Sequence, residues 1–196
     1  MKEIIIFSDF ACPFSYIGFS IMNRLRIDRQ DIEFYFLPYV LNPELSLEGG
    51  DLGDDLDEET INQGFERVEL LGSEYKLNYN NKRKIFNTNR LHLASQYAQE
   101  MGKFFSFAEI AFKYIFEYGY NVADIKTINK IGFKIGLDIN EMNEKIDSGE
   151  YDDTFEISKL MSETYKVDSV PTFIVDKEKK STELKSYEIF IQDLLK

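Results

Sequence analysis

The sequence runs to 196 residues with a formal net charge of −12, and 43% of it is apolar and 15% aromatic, including 17 Phe and 12 Tyr. That is enough apolar material for one folded domain, with or without a large insertion, and it excludes intrinsic disorder. The acidic balance excludes the basic footprint that nucleic acid or an anionic membrane requires, so neither is expected as a partner.

One cysteine, Cys12, and one histidine, His92, exclude an internal disulfide, a multi-thiolate zinc site and a His-rich metal site. Carboxylate sites for hard cations stay formally open. No apolar run approaches the roughly 20 residues of a membrane-spanning helix. Met1-Lys2-Glu3 passes directly into Ile4-Ile5-Ile6, too short a run for a secretory leader and without a small-residue cleavage site, so a cytoplasmic location is expected.

In chain order, Glu3 to Ser8 is a short β-branched run bounded by polar residues and reads as a buried strand. Pro13 then stands where a helix begins, and from Phe14 to Arg26 apolar positions recur at helical spacing: Tyr16, Ile17, Phe19, Ile21 and Leu25, with Ser20 on the same stripe. Ile32 to Val40 reads as a second strand, with Phe34, Phe36 and Pro38 alternating against Glu33, Tyr35 and Leu37. The helix between the two strands is long enough to let them pair in parallel.

After Asn42-Pro43 the pattern turns helical for more than a hundred residues, punctuated by Gly, Asn and Asp. Helices are expected at Asp54 to Leu71, Asn89 to Met101, Phe104 to Tyr118, Ile125 to Ile135, Asn140 to Asp147 and Asp152 to Tyr165. The acidic stretch from Asp51 to Glu59 suits the positive end of the first of these. Strand character returns at Pro171 to Val175, followed by a polar turn over Asp176 to Lys180, a weak strand near Thr182 to Lys185, and a last helix from Tyr187 to Leu195. Sheet elements flanking a helical block point to an α/β core with an all-helical insertion between its second and third strands.

Cys12 immediately precedes Pro13, which places its thiol at the N-cap of the first helix. Unsatisfied backbone N–H groups and the positive helix end favour an anion there, and cysteines so placed can fall from about 8.5 to between about 3.5 and 7.5. A nucleophilic thiolate at neutral pH is the expectation. The alternative is a small buried hydrophobe, the commonest fate of an isolated cysteine. Position argues for reactivity, because the turn at the carboxyl end of a parallel strand is where α/β proteins place ligands. Ser15 stands where a dithiol motif has its second cysteine; its hydroxyl can donate to a Cys12 thiolate but cannot resolve a mixed disulfide, and it can equally be an ordinary first-turn serine. For Pro171, the residues alone favour a trans proline opening an edge strand.

Four segments carry a resemblance. Asp9-Phe10-Ala11-Cys12-Pro13-Phe14-Ser15-Tyr16-Ile17-Gly18 looks like an active-site loop and opening helix, and Leu37-Pro38-Tyr39-Val40-Leu41-Asn42-Pro43 like a proline-bracketed turn. Asn87-Thr88-Asn89-Arg90-Leu91-His92-Leu93-Ala94 looks like the start of an inserted-domain helix, and Val170-Pro171-Thr172-Phe173 like a cis-proline loop. Together, and in this order, they resemble the DsbA-like thioredoxin family. Its cytoplasmic FrnE-like branch is the nearer likeness, the 2-hydroxychromene-2-carboxylate isomerase and kappa-class glutathione transferase group the more distant one.

The resemblance implies a thioredoxin-like domain formed by residues 1–42 and 167–196, with residues 43–166 as the helical insertion domain. It implies a cis Val170–Pro171 bond, with Val170 offering its backbone to an extended thiol-bearing partner. His92 matches a family histidine, although a lone histidine on an amphipathic helix is more often a packing residue; Asp9 caps the loop, and Asn42 and Asn87 border the cleft. Many FrnE-like relatives carry cysteine where this chain has Ser15, and the isomerase and kappa relatives carry serine where it has Cys12.

The expected function is that of a thiol–disulfide oxidoreductase, similar to protein disulfide isomerases, with a monothiol Cys-Pro-Phe-Ser site. Cys12 and Ser15 are its catalytic residues, and Pro13, Phe14, Val170 and Pro171 bind substrate. No metal and no bound cofactor are expected; glutathione or another low-molecular-weight thiol would act as co-substrate, and the partner would be a thiol-containing protein or small molecule. Two alternatives stay open: a glutathione-type transferase or isomerase acting on a small aromatic or electrophilic substrate, and a non-catalytic thiol- or partner-binding module.

Overall fold

A computed structural model of the chain describes residues 2–52 and 57–194. Strand β1 (Lys2–Ser8) is apolar on both faces, with Ile4 through Phe7 all buried, which fits it for the middle of a sheet covered on both sides. It pairs in parallel with β2 (Ile32–Pro38), in the register Ile4 to Phe34 and Phe7 to Leu37, and antiparallel with β3 (Thr172–Val175), Ile5 lying opposite Ile174. Strand β4 (Lys179–Ser181) pairs antiparallel with β3, giving the order β2-β1-β3-β4. Helix α1 (Pro13–Asp28) makes the connection between the parallel strands.

Between β2 and β3 run α2 (Glu58–Gly72), α3 (Asn89–Glu100), α4 (Phe104–Phe116), α5 (Ile125–Lys134), α6 (Ile139–Asp147) and α7 (Asp153–Thr164), and α8 (Tyr187–Leu194) closes the described chain. The caps follow local chemistry. Asp57 accepts from the Thr60 N–H at 2.8 Å, and Asp138 accepts from the N–H groups of Asn140 and Glu141 at 2.9 and 3.0 Å, so each acidic side chain satisfies donors that the helix cannot. No helix among the described residues is long and apolar enough to cross a membrane.

One face of the sheet presents Ile4, Ile6, Phe36, Phe173 and Val175 to the main core, which α1, α4 and α8 complete. Tyr16 stacks on Phe112 and Phe116 of α4 at ring-centroid distances of 5.1 and 5.6 Å, and Phe19 lies 5.4 Å from Phe112, so α1 and the helical block share one aromatic core. The other face, with Ile5, Phe7 and Ile174, is covered by Met161 of α7 and by Tyr165, Val167 and Val170 beyond it.

Several expected boundaries move. The second strand stops at Pro38 rather than Val40, where the Tyr39 N–H makes a last bond to the Ser8 carbonyl at 2.9 Å. Helix α2 begins at Glu58 behind its Asp57 cap, and the expected start at Asp54 lies outside the described residues, as does Leu195. The weak strand expected at Thr182 to Lys185 is corrected to Lys179–Ser181. Asp176 and Lys177 adopt positive φ angles of 49° and 63°, and Glu178 N–H bonds to the Val175 carbonyl at 3.0 Å, so the chain reverses at once and returns inside the expected polar turn.

Candidate functional site

Cys12 is the N-cap of α1 with extended backbone angles (φ −83°, ψ 119°), and Pro13 is the first helical residue, whose missing N–H costs nothing there. Its own N–H closes a tight turn onto the Asp9 carbonyl at 3.1 Å. Cys12 is 6% exposed, and its Sγ donates to the carbonyl of Val170 at 3.5 Å across the sheet. The Val170–Pro171 peptide bond is cis. Gly18, six residues beyond the cysteine, lets α1 approach this loop: a Cβ there would meet Pro171 Cγ at 2.9 Å and Phe173 Cζ at 3.0 Å.

Burial pushes the Cys12 thiol up to about 11; the backbone N–H and hydroxyl of Ser15 and the Phe14 N–H pull the other way, and the Asp9 charge adds to the rise. Burial thus opposes the thiolate expected at neutral pH, since withdrawing the sulfur from water outweighs the helix N-terminus and favours the protonated thiol. The hydrogen bond to Val170 suits that form, since only a thiol can donate it.

Beneath the loop, Asp9 is wholly buried and accepts four hydrogen bonds, from Ala11 N–H at 3.0 Å, Leu41 N–H at 2.8 Å, Thr88 Oγ1 at 2.8 Å and His92 Nε2 at 3.2 Å. Burial alone would push this carboxyl up, but His92 and the backbone donors hold it below the ordinary carboxylate value. His92 is a satisfied packing residue, 4% exposed, its ring tilted against Phe10 at 4.9 Å. One carboxylate thus ties together the Cys12 loop, the turn after β2 and the start of α3.

A cavity of about 480 Å³ opens beside the cysteine. Cys12, Pro13 and Phe14 form one side, Leu41, Asn42 and Leu45 a second, Ile61, Phe65 and Val68 of α2 a third, and Arg83, Ile85 and Phe86 the fourth. Ser15, buried behind the cysteine, and Pro171, packed under α1, do not line it; Asn87 instead clamps the loop by donating to the carbonyls of Pro43 and Leu45 at 3.0 and 2.9 Å. Arg83 and Thr88 were not foreseen as site residues. Thr88 lay within a recognised segment, whereas Arg83 sits in the polar run Asn80 to Lys84, which carries no periodic signal. Among the described residues no group of three or more His, Cys, Asp or Glu is placed to hold a metal ion.

Comparison with known proteins gives a consistent result. Residues 3–194 match the family described as DSBA-like thioredoxin domain. The Bacillus subtilis protein YwbO, itself uncharacterized, is 25% identical over 175 residues, covering 88% of this chain and 86% of its own. A probable DsbA oxidoreductase from Streptomyces coelicolor superposes with a TM-score of 0.87 at 19% identity, over 99% of this chain and 88% of that one. The cytosolic disulfide reductase DsbM from Pseudomonas aeruginosa, solved with GSH, superposes with a TM-score of 0.72 at 11% identity, over 98% of both chains. At these identities the structural likenesses show the fold.

Proposed function

The chain belongs to the DSBA-like thioredoxin domain family, and from that premise we propose that it is a monothiol thiol–disulfide oxidoreductase acting through Cys12. The observation that carries this reading is the placement of the Cys12 sulfur at the N-cap of α1, 3.5 Å from the Val170 carbonyl and open to the adjoining cavity. Thiol chemistry in the family and the GSH held by DsbM support it, and the name cytosolic carried by that neighbour supports a cytoplasmic setting.

The reaction begins when the Cys12 thiol loses its proton to solvent and the sulfur attacks one sulfur of a disulfide RS–SR′. The bond between Cys12 and RS forms as R′S⁻ leaves. A second thiolate, from glutathione or another low-molecular-weight thiol, then attacks the R sulfur, forms a new disulfide and returns Cys12 as a thiolate that reprotonates. Electrons pass between substrate thiols only, so no bound cofactor enters. An external resolving thiol is required because this chain has no second cysteine.

In this mechanism Ser15 steadies the transient thiolate, Pro13 and Phe14 border the entering sulfur, and the Val170–Pro171 loop aligns an extended partner. A peptide pairing with the Val170 carbonyl takes the acceptor that holds the thiol proton, which favours ionisation when substrate is present. Residues 43–166, read as the helical insertion domain, supply the α2 wall of the cavity.

The test is incubation with oxidised glutathione followed by intact and peptide mass spectrometry. One glutathionyl group on Cys12, removable by dithiothreitol and absent from Cys12→Ser, is the expected outcome; an unmodified Cys12 after prolonged exposure at pH 9 would refute the reading. Ser15→Cys should release the bound thiol by closing an internal disulfide with Cys12, a resolution that the native chain, with one cysteine, leaves to an external thiol.

A further inference from the structure

Arg83 is a buried cation that none of the described residues neutralises. It is 7% exposed, lines the cavity beside Cys12, and is the only Lys or Arg among the described residues that do so. Its guanidinium makes one hydrogen bond, from Nη1 to the neighbouring Lys84 carbonyl at 3.4 Å, and lies 4.3 Å over the Phe116 ring. Among the described residues no carboxylate reaches it. Asp9 also lines the cavity, but its oxygens are already taken by Ala11, Leu41, Thr88 and His92.

We propose that this cavity is a subsite for a small ligand that joins an apolar body to a carboxylate, with Arg83 receiving the carboxylate. The volume of about 480 Å³ falls within the roughly 300–1,000 Å³ of small-molecule sites. Its walls are mostly apolar, including Phe14, Leu45, Ile61, Phe65, Val68 and Phe86, with few polar groups to satisfy a hydrophilic ligand. A guanidinium presents a planar fork of donors that matches one carboxylate, whereas the mostly apolar walls suit a ligand with an apolar body better than a phosphate dianion, which needs donors on several sides.

The backbone aims the side chain. Asn80 N–H donates to the Phe116 carbonyl at 2.6 Å and Arg83 N–H to the Asn80 carbonyl at 3.2 Å, so the segment is pinned against the end of α4 with Arg83 turned to the cavity. Charge on the Cys12 sulfur favours the charged guanidinium and, by reciprocity, the reverse, so cation and nucleophile can serve one ligand from adjacent walls.

The inference deepens the oxidoreductase reading and rests on it for the role of the ligand, but the test separates the two. Cys12 is reacted with 5,5′-dithiobis(2-nitrobenzoate), whose rings carry carboxylates, and with neutral 2,2′-dithiodipyridine, in native protein, Arg83→Gln and Arg83→Lys. In each case the Cys12 sulfur bonds one reagent sulfur, the reagent S–S bond breaks, and an aryl thiolate leaves; the reagent is the oxidant. The rate ratio of anionic to neutral reagent should fall about tenfold in Arg83→Gln and largely survive in Arg83→Lys. An unchanged ratio in folded Arg83→Gln would mean that Arg83 serves only to pack on Phe116, and would overturn the proposal.

Should neither reagent react, the oxidoreductase reading fails and the subsite is judged on binding alone. The native protein should then bind 1-naphthoate saturably and at least about tenfold more tightly than neutral 1-naphthamide, a comparison that needs no variant to fold. Equal affinities would overturn the subsite.

Discussion

At Cys12 two opposed effects meet on one sulfur. The helix N-terminus, Ser15 and the Phe14 N–H favour the thiolate, while burial and the Asp9 charge favour the thiol and prevail, at about 11. A thiol shifted this way is almost wholly protonated at pH 7, and alkylation by iodoacetamide should accelerate about tenfold per pH unit between pH 7 and 10. A rate that levels off below pH 8 would show the helix effect winning instead. The Asp9→Asn variant tests the same contest from the other side: loss of the charge should lower the thiol pKa and quicken alkylation at pH 8. The same change leaves buried donors without an ionised acceptor and should cost about 1–3 kcal/mol in a denaturant titration. Because Asp9 ionises more readily folded than unfolded, its contribution is present above about pH 4 and is lost as pH falls through its lowered value. Acid should thus narrow the stability gap between native protein and variant. Placement of Cys12 at a helix start could be read from Pro13, but its ionisation could not, because desolvation depends on the Val170 loop, which lies 158 residues away along the chain.

Elements were legible where local chemistry sets them. Strand β1 follows from Ile4 to Phe7, and α1 from its stripe of Tyr16, Ile17, Phe19, Ile21 and Leu25, each of them buried. Asp57, Asp124 and Asp138 accept from backbone N–H groups at the starts of α2, α5 and α6, as acidic caps do. Strand β4 was expected a few residues too late because the reversal before it uses Asp176-Lys177 rather than an Asn-Gly signal, the left-handed angles being held in place by bonds that join Asp176 to the Glu3 backbone. The contact of α1 with the Pro171 loop was equally hidden, since Gly18 within a helical stripe gives no hint of what it touches. Gly18→Ala should force Cβ against the rigid Pro171 ring and the buried Phe173, costing about 1–3 kcal/mol and lowering Tm. It should also slow disulfide exchange at Cys12 by displacing the Val170 carbonyl; unchanged Tm and rate would show that the loop yields freely.

Across the whole molecule, the stack of Tyr16, Phe112 and Phe116 joins the helix that starts at Cys12 to the helical block between β2 and β3. Phe112→Ala should therefore cost about 3–5 kcal/mol and unfold both regions in one transition; separate transitions for the two would contradict a shared core. The order of strands and helices was readable from periodicity, but the cavity was not, since its walls come from segments as distant as Ala11, Leu45, Phe65 and Arg83 and no local pattern announces their meeting. The account as a whole depends on Cys12 forming a mixed disulfide. The direct measurement is intact mass spectrometry of native protein and Cys12→Ser after exposure to oxidised glutathione from pH 7 to 9. The account predicts a single glutathionyl adduct on Cys12 that forms faster as pH rises and never appears in the variant. An unmodified Cys12 across that whole range would contradict it.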